Sequence, residues 1–460
     1  MTLPFDITTA SVSVIGAARS GRAAVRLLRE KGADVLLSDE GPAEAHGDVI
    51  AEMRAHGASV EFGGHTDRVF DAKLVVVSPG VPSDAPVLVE AERRGIPVIS
   101  ELELASIFFH APIIGITGTN GKTTTTTITG EIFRAAGRST IVAGNIGHAF
   151  SDAVIADGDT ADLAVLEVSS FQLDHCLSLR PATAVLTTIT PDHLGRYHGV
   201  FADYIAAKQR MFRNQFPEDA LIYNCDDSET VAAIASAAAR RFGTSVQQVL
   251  DHGGWMEART LYVNIGEGAE RLVSIDELHL RGRHNYRNIL MAALAARLHG
   301  VPTAVVAKTI RAFEGVEHRL EVVRRLDDVV YINDSKATNV DSVVIALQSF
   351  HQPVVLIAGG RDKEAPYEPL LPLIDATVRA AVLIGEAADA MERAFTGHTD
   401  VRRAASMPDA VAIAQDIATP GDVVLLSPAC ASFDMFDNFE HRGLVFKRLV
   451  QSLQPRRQPA

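Results

Sequence analysis

Hydrophobic residues in this chain gather in short unbroken runs, each closed by small or polar residues, and the runs alternate with stretches of helical periodicity. Val12-Ser13-Val14-Ile15 leads into the turn Gly16 to Gly21, then an Ala/Arg/Leu-rich helix, then Val35-Leu36-Leu37-Ser38-Asp39. Leu74-Val75-Val76-Val77 runs into Ser78-Pro79-Gly80. Further on, Pro112-Ile113-Ile114 precedes a glycine-rich loop, Leu163-Ala164-Val165-Leu166 ends at Glu167, and Ala184-Val185-Leu186-Thr187-Thr188-Ile189 ends at Thr190-Pro191-Asp192-His193. Past Gly315-Val316-Glu317-His318-Arg319, read as a hinge, the pattern repeats in Val329–Ile332, Val354–Gly360, Ala381–Gly385 and Val423–Pro428. Apolar strands alternating with helices predict parallel sheets with crossover helices, and residues just past the strands point into the ligand crevice of such sheets.

A length of 460 residues exceeds what one core supports and suggests about three domains. The composition, 47% hydrophobic and 22% charged, is that of a globular protein. A formal charge of −14 argues against a nucleic-acid coat or an anionic membrane surface, so cations that meet phosphates must be concentrated locally. Cys176, Cys225 and Cys430 form neither a disulfide framework nor a metal-ligand spacing, which fits a reducing cytoplasm. The first residues lack a basic region followed by an apolar run, and no segment approaches about 18 consecutive apolar residues, so neither export nor membrane insertion is expected.

The strongest chemical signal is Gly115-Ile116-Thr117-Gly118-Thr119-Asn120-Gly121-Lys122-Thr123-Thr124. Glycines let backbone N–H groups turn inward around phosphate oxygens, Lys122 can reach the β/γ-phosphates, and Thr123 can offer its hydroxyl to Mg²⁺ at a helix N-terminus. Strict spacing would place glycine at Ile116, so Gly115 and Gly118 must supply the flexibility. In the first unit, Asp39 falls where dinucleotide-binding folds carry a ribose-binding carboxylate. The turn Gly16-Ala17-Ala18-Arg19-Ser20-Gly21 lacks its middle glycine, which argues against a nicotinamide cofactor. Glu167 and His193 can both converge on the metal end of a triphosphate, although magnesium favours the carboxylate and a lone histidine is commonly structural. Lys208 lies on a helical segment that could equally be a solvated face. Asn285 and Asn288 share one face of a helix start and either cap it or address a purine. Asn333 to Asn339, and Arg361-Asp362-Lys363 after Gly359-Gly360, set a lysine, hydroxyls and an arginine beside anion-friendly turns.

Taken together these segments resemble the Mur ligases over nearly the whole chain. The resemblance is carried by Gly118 to Thr123, His284-Asn285-Tyr286, Asp334 to Asn339, and Leu426-Ser427-Pro428-Ala429-Cys430-Ala431-Ser432-Phe433-Asp434 followed by Asn438-Phe439-Glu440-His441-Arg442-Gly443. The last two stretches look like the D-glutamate-adding member of the family. The chain departs from the pattern at Gly195, where an acidic residue is expected beside His193.

This resemblance implies a three-domain α/β fold: a Rossmann-like UDP-sugar-binding domain over 1–109, a central P-loop ATPase-like parallel sheet over 110–314, and a Rossmann-like amino-acid-binding domain over 315–460. It implies ATP-dependent addition of D-glutamate to UDP-N-acetylmuramoyl-L-alanine through an acyl phosphate, in peptidoglycan synthesis, by a cytoplasmic monomer. By the same likeness Ser20, Asp39 and Asn145 bind the UDP-substrate, and Ser78 and Gly80, in a turn at the carboxyl edge where such sheets bind ligands, either join them or form only a tight turn. Gly118, Thr119, Asn120, Gly121, Lys122, Thr123, Thr124, Asn285, Asn288, Arg319 and Asp334 surround ATP. Thr123, Glu167, His193 and a carbamylated Lys208 hold two Mg²⁺ ions; Lys336, Thr338, Lys363, Ser432 and Phe439 bind the amino acid. Lys122, His193 and Lys208 serve catalysis, with His193 a candidate for assisting proton loss from the amine. Two rivals stand beside this reading. One is a related ligase for another amino acid, such as L-glutamate. The other is a nucleotide-dependent switch, disfavoured because no Asn-Lys-x-Asp guanine motif is present.

Overall fold

The computed structural model describes residues 5–362 and 366–456. The chain forms two compact units, Met1–Phe313 and Glu314–Ala460. Three sheets carry the α/β architecture, two in the first unit and one in the second.

The first sheet has five parallel strands in the spatial order Ser59–Phe62, Asp34–Asp39, Ser11–Ile15, Leu74–Val77, Val98–Ser100. The order reverses between Ser11–Ile15 and Leu74–Val77, and a doubly wound sheet opens its crevice at that point. The turns after these two strands therefore meet: Ser78 Oγ donates to Gly16 O at 2.9 Å. Gly21 is required there, because a Cβ on it would lie 1.8 Å from the Gly16 carbonyl oxygen.

The second sheet orders nine strands as Glu270–Ser274, Thr260–Asn264, Gly253–Glu257, Arg240–Ser245, Ala220–Asn224, Thr183–Leu186, Ile113–Thr117, Leu163–Glu167, Thr140–Gly144. Pairing is parallel from Thr140–Gly144 to Gly253–Glu257, and the last two strands are antiparallel additions. The helix Lys122–Ala135 buries Thr123, Thr124, Thr125, Thr126 and Thr129, a run of β-branched residues with weak helix propensity. Tertiary packing and back-bonding sustain it: Thr127 Oγ1 donates to Thr123 O at 2.9 Å and Thr129 Oγ1 to Thr125 O at 2.7 Å.

Packing is continuous from the first sheet to the second. One apolar cluster contains Val14, Leu28 and Val76 together with Ala105, Phe150, Leu166 and Leu186. The helix Glu101–Phe108 bridges them, with Glu101 accepting from Ser151 N at 2.6 Å and Glu103 from Leu179 N at 2.9 Å.

In the second unit the order is Glu321–Leu326, Val329–Asn333, Val423–Leu426, Val354–Gly359, Val378–Ile384, Asp400–Arg403, parallel except for the first strand. Its two faces are covered by separate apolar clusters, one around Leu356 and Phe395 and one around Ile357 and Phe446.

Candidate active site

Three neighbouring strands of the second sheet end together: Leu163–Glu167, Ile113–Thr117 and Thr183–Leu186. The glycine-rich loop leaves the middle one. Gly118 and Gly121 take φ of 143° and 88°, the left-handed region that favours glycine. Added Cβ atoms there would lie 2.0 Å from Thr187 Oγ1 and 2.5 Å from Asn288 Oδ1.

The strand read as Ala184 to Ile189 stops at Leu186, because Thr187 and Thr188 leave the ladder to brace the loop. Thr187 Oγ1 donates to Asn120 O at 2.5 Å, and Thr188 Oγ1 accepts from Asn120 N at 3.0 Å. Thr119 N donates to Thr188 O at 2.7 Å, and Thr119 Oγ1 lies 3.0 Å from Tyr204 Oη. Thr187, Thr188 and Tyr204 are site residues that sequence reasoning missed; a threonine pair just beyond an apolar strand was the available signal.

Lys122, the first residue of its helix, folds back to donate to Gly118 O at 2.9 Å and Thr119 O at 2.8 Å. Lys208, in the last turn of the helix Phe201–Gln209, is buried rather than solvated. It donates to the same Gly118 O at 2.8 Å, with its Nζ 4.4 Å from the centre of the Tyr204 ring. Burial first, then the Lys122 charge, push its pKa well below the ordinary lysine value, with Asp192 opposing. The neutral amine is therefore favoured, the form that can attack CO₂ to become a carbamate.

Glu167 ends its strand fully buried, and Oε1 accepts from Asn145 Nδ2 at 2.8 Å. Asn145 N also donates to Glu167 O at 2.8 Å, so the loop Gly144-Asn145-Ile146-Gly147 is laced to the carboxylate by side chain and backbone. Thr123 is buried at the second position of its helix, and Thr124 Oγ1 is buried with no hydrogen-bond partner among the described residues. A buried carboxylate and hydroxyls beside a phosphate loop are hard oxygen donors, the set that suits Mg²⁺. His193 adopts φ 53°, stands edge-on to Phe171 at 5.0 Å between ring centres and is exposed, with Nε2 3.6 Å from Asp192 Oδ2. Open space surrounds Gly195.

Asn285 and Asn288 are both buried in the first turns of the helix Arg283–Leu298. Neither caps it: the cap position is Gly282, and Asn285 Nδ2 donates to Arg281 O at 2.8 Å. Asn288 lies against Gly121 of the glycine-rich loop.

At the crevice of the first sheet, Asp39 accepts from Ala17 N at 2.6 Å and Gly41 N at 2.7 Å. Ser20 is part-exposed at the start of the helix Arg19–Glu30, Ser78 is buried beneath Gly16, and Gly80 is exposed on the adjoining turn.

The second unit gathers its own set. Lys336 Nζ sits 5.0 Å from the centre of the Phe439 ring, Thr338 N donates to Lys336 O at 2.9 Å, and Ser335 Oγ donates to Phe439 O at 2.8 Å. Arg442, fully buried, ties this segment to Cys430-Ala431: it donates to Ser335 O at 2.8 Å, Ser335 Oγ at 2.9 Å, Cys430 O at 3.1 Å and Ala431 O at 3.4 Å. Burial lowers its pKa to about 10. Arg442 stands in the stretch that carried the resemblance, yet nothing in one sequence marks it as the brace between two loops. Asp334 is buried with Oδ1 accepting from Leu320 N at 3.2 Å and Oδ2 from Ser427 Oγ at 2.8 Å. Desolvation pushes its pKa up to about 7 against the opposing charge of Arg319. Lys363 lies outside the described residues.

Three family models match in order: Mur ligase MurD-like, N-terminal domain, over 10–100; Mur ligase middle domain over 116–296; and Mur ligase, glutamate ligase domain, over 318–430. The chain belongs to the Mur ligase family. It is 48% identical to the UDP-N-acetylmuramoylalanine--D-glutamate ligase of Salinibacter ruber, covering 98% of this chain and 99% of the relative. It is 45% identical to the enzyme of the same name from Chloroherpeton thalassium, covering 96% and 98%. Among solved structures, MurF from Acinetobacter baumannii shares the fold with a TM-score of 0.63 at 17% identity, covering 96% of this chain and 93% of that one. MurC from Thermotoga maritima does so with 0.60 at 18%, covering 96% and 99%.

Proposed function

We propose that this protein is an ATP-dependent ligase that joins D-glutamate to UDP-N-acetylmuramoyl-L-alanine during peptidoglycan synthesis, acting as a cytoplasmic monomer. The observation that carries this reading is 48% identity, over 98% of the chain, to a relative bearing that activity in its name. Among the described residues no helix is long and apolar enough to cross a membrane.

The three regions take one substrate each: UDP-sugar at 1–109, ATP at 110–314 and amino acid at 315–460. A carboxylate is a poor electrophile, so the γ-phosphoryl group of ATP passes to the L-alanyl carboxylate, releasing ADP. The D-glutamate amine then attacks the acyl carbon, phosphate leaves, and the amine gives up a proton. Loop N–H groups from Gly121 to Thr124 and the Lys122 ammonium hold the triphosphate; Lys122 exchanges its bonds to Gly118 O and Thr119 O for phosphate oxygens. Asn288, seated against Gly121, and Asn285 address the nucleotide. Asn145, steadied on Glu167, orients the acceptor carboxylate.

Thr123, Glu167, His193 and the Lys208 carbamate would hold two magnesium ions. Magnesium supplies charge neutralisation between the two anions that must meet. Lys208 reaches its carbamate by attack of the neutral amine on CO₂ with loss of one proton, which converts a cation into an oxygen ligand. Lys336, Thr338, Lys363, Ser432 and Phe439 bind D-glutamate, and His193 assists proton removal.

The test is phosphate release from ATP and Mg²⁺ with UDP-N-acetylmuramoyl-L-alanine and a panel of amino acids. Release is expected with D-glutamate; its absence there, with release for L-glutamate or another amino acid, would replace the substrate assignment. ATP hydrolysis independent of both co-substrates would favour a switch.

A further inference from the structure

The turn that opens the nucleotide-sugar crevice is poorly equipped to hold a diphosphate with its backbone alone. Its middle glycine is absent, and the Ala17 N–H is already given to Asp39 Oδ2 at 2.6 Å. The backbone cannot open further, because Gly21 packs directly on the Gly16 carbonyl. The helix that follows, Arg19–Glu30, starts without a side-chain cap and with no acidic residue in its first turn, so no protein anion answers its N-terminus.

Arg19 stands at this place. It is exposed, and among the described residues it forms no ion pair. Its one side-chain hydrogen bond runs from Nη1 to Gly147 O, at 2.7 Å. Gly147 closes the loop that carries Asn145, whose amide is fixed to Glu167. The side chain thus reaches from the nucleotide turn to the loop beside the metal-binding carboxylate. One of its five N–H donors is used for the anchor, and the rest of the fork remains for a ligand. In a chain of net charge −14 a diphosphate needs a local cation, and a planar guanidinium matches phosphate oxygens two at a time.

We propose that Arg19 binds the diphosphate of the UDP-sugar, its guanidinium held in place by the bond to Gly147 O. This rests on the nucleotide-sugar reading given above. The anchor sets where the diphosphate lies relative to Asn145, and so how far the sugar and its L-alanyl carboxylate extend toward Glu167.

The experiment is steady-state kinetics of the intact enzyme with Arg19→Gln, Arg19→Leu and Arg19→Lys, together with inhibition by UDP and by uridine. Loss of charge-assisted hydrogen bonds predicts a KM for the UDP-sugar raised about ten-fold or more in Arg19→Gln and Arg19→Leu. The KM for ATP and for D-glutamate should stay unchanged, and Arg19→Lys should fall between. UDP inhibition should weaken by the same factor as the KM rises, while uridine inhibition stays constant. If UDP and uridine weaken equally, Arg19 only steadies the Asn145 loop and the proposal is overturned; an unchanged UDP constant overturns it too. A wild-type enzyme that releases no phosphate with the UDP-sugar defeats the ligase reading itself, whereas normal wild-type turnover with an indifferent Arg19→Gln defeats only this inference.

Discussion

Lys122 and Lys208 donate to one and the same acceptor, the carbonyl oxygen of Gly118, at 2.9 and 2.8 Å. Two ammonium groups on a single carbonyl in a buried setting repel, which favours loss of a proton from one of them. Burial first, and then the Lys122 charge, press Lys208 toward the neutral amine, the form with a free nitrogen lone pair.

Replacing Lys208 by Ala should lower kcat on the order of a hundred-fold or more, as when a preorganised electrostatic group is removed. Formate or acetate added to the assay should restore part of the rate by supplying the missing carboxylate. Lys208→Arg should show no such activity, because a guanidinium stays charged and cannot form a carbamate. Full activity of Lys208→Ala in the phosphate-release assay would exclude the carbamate.

Asn145 joins the substrate loop to Glu167 through two hydrogen bonds. Asn145→Ala removes the side-chain bond and should lower kcat/KM for the UDP-sugar by roughly ten- to a hundred-fold, in the range for a lost hydrogen bond to a charged group. The KM for D-glutamate should not move. A change in the D-glutamate KM alone would contradict the assignment.

Arg442 satisfies four acceptors on two separate segments with one buried side chain. Arg442→Met should cost on the order of 3 kcal/mol, since several buried carbonyl groups lose their donor. Urea denaturation followed by probes in the second unit measures it. Arg442→Lys should recover little, because one ammonium cannot span both segments.

Asp334 carries a pKa near 7 in the fold against 3.8 for the free side chain. Between these values the folded chain holds a proton that the unfolded chain releases, so stability falls as pH rises from about 4 to 7 and stays low above. Asp334→Asn keeps an acceptor for Leu320 N and a partner for Ser427, and should stabilise the second unit at pH 8 while having little effect at pH 4. Urea midpoints at both pH values test this; an equal shift at each would refute it.

Much of the fold was legible in the order of apolar runs. A strand buried on both faces reads as a continuous hydrophobic stretch, and the glycine loop and Glu167 stood at strand ends because that is where such sheets expose polar groups, whereas His193 lies seven residues past a strand that stops at Leu186. The antiparallel strands Gly253–Glu257 to Glu270–Ser274 escaped notice, since their half-buried pattern is short and mixed.

The chain's order of residues was enough to establish a triphosphate loop, parallel sheets and a family likeness, because these depend on local spacing and periodicity. Only the tertiary structure decided that Lys208 is buried beside Lys122, that Asn145 reaches Glu167, that Thr187 and Thr188 brace the loop instead of extending a strand, and that Arg19 spans to Gly147. Those outcomes depend on which strand ends are neighbours and on how little water reaches them, quantities set by packing between segments tens of residues apart.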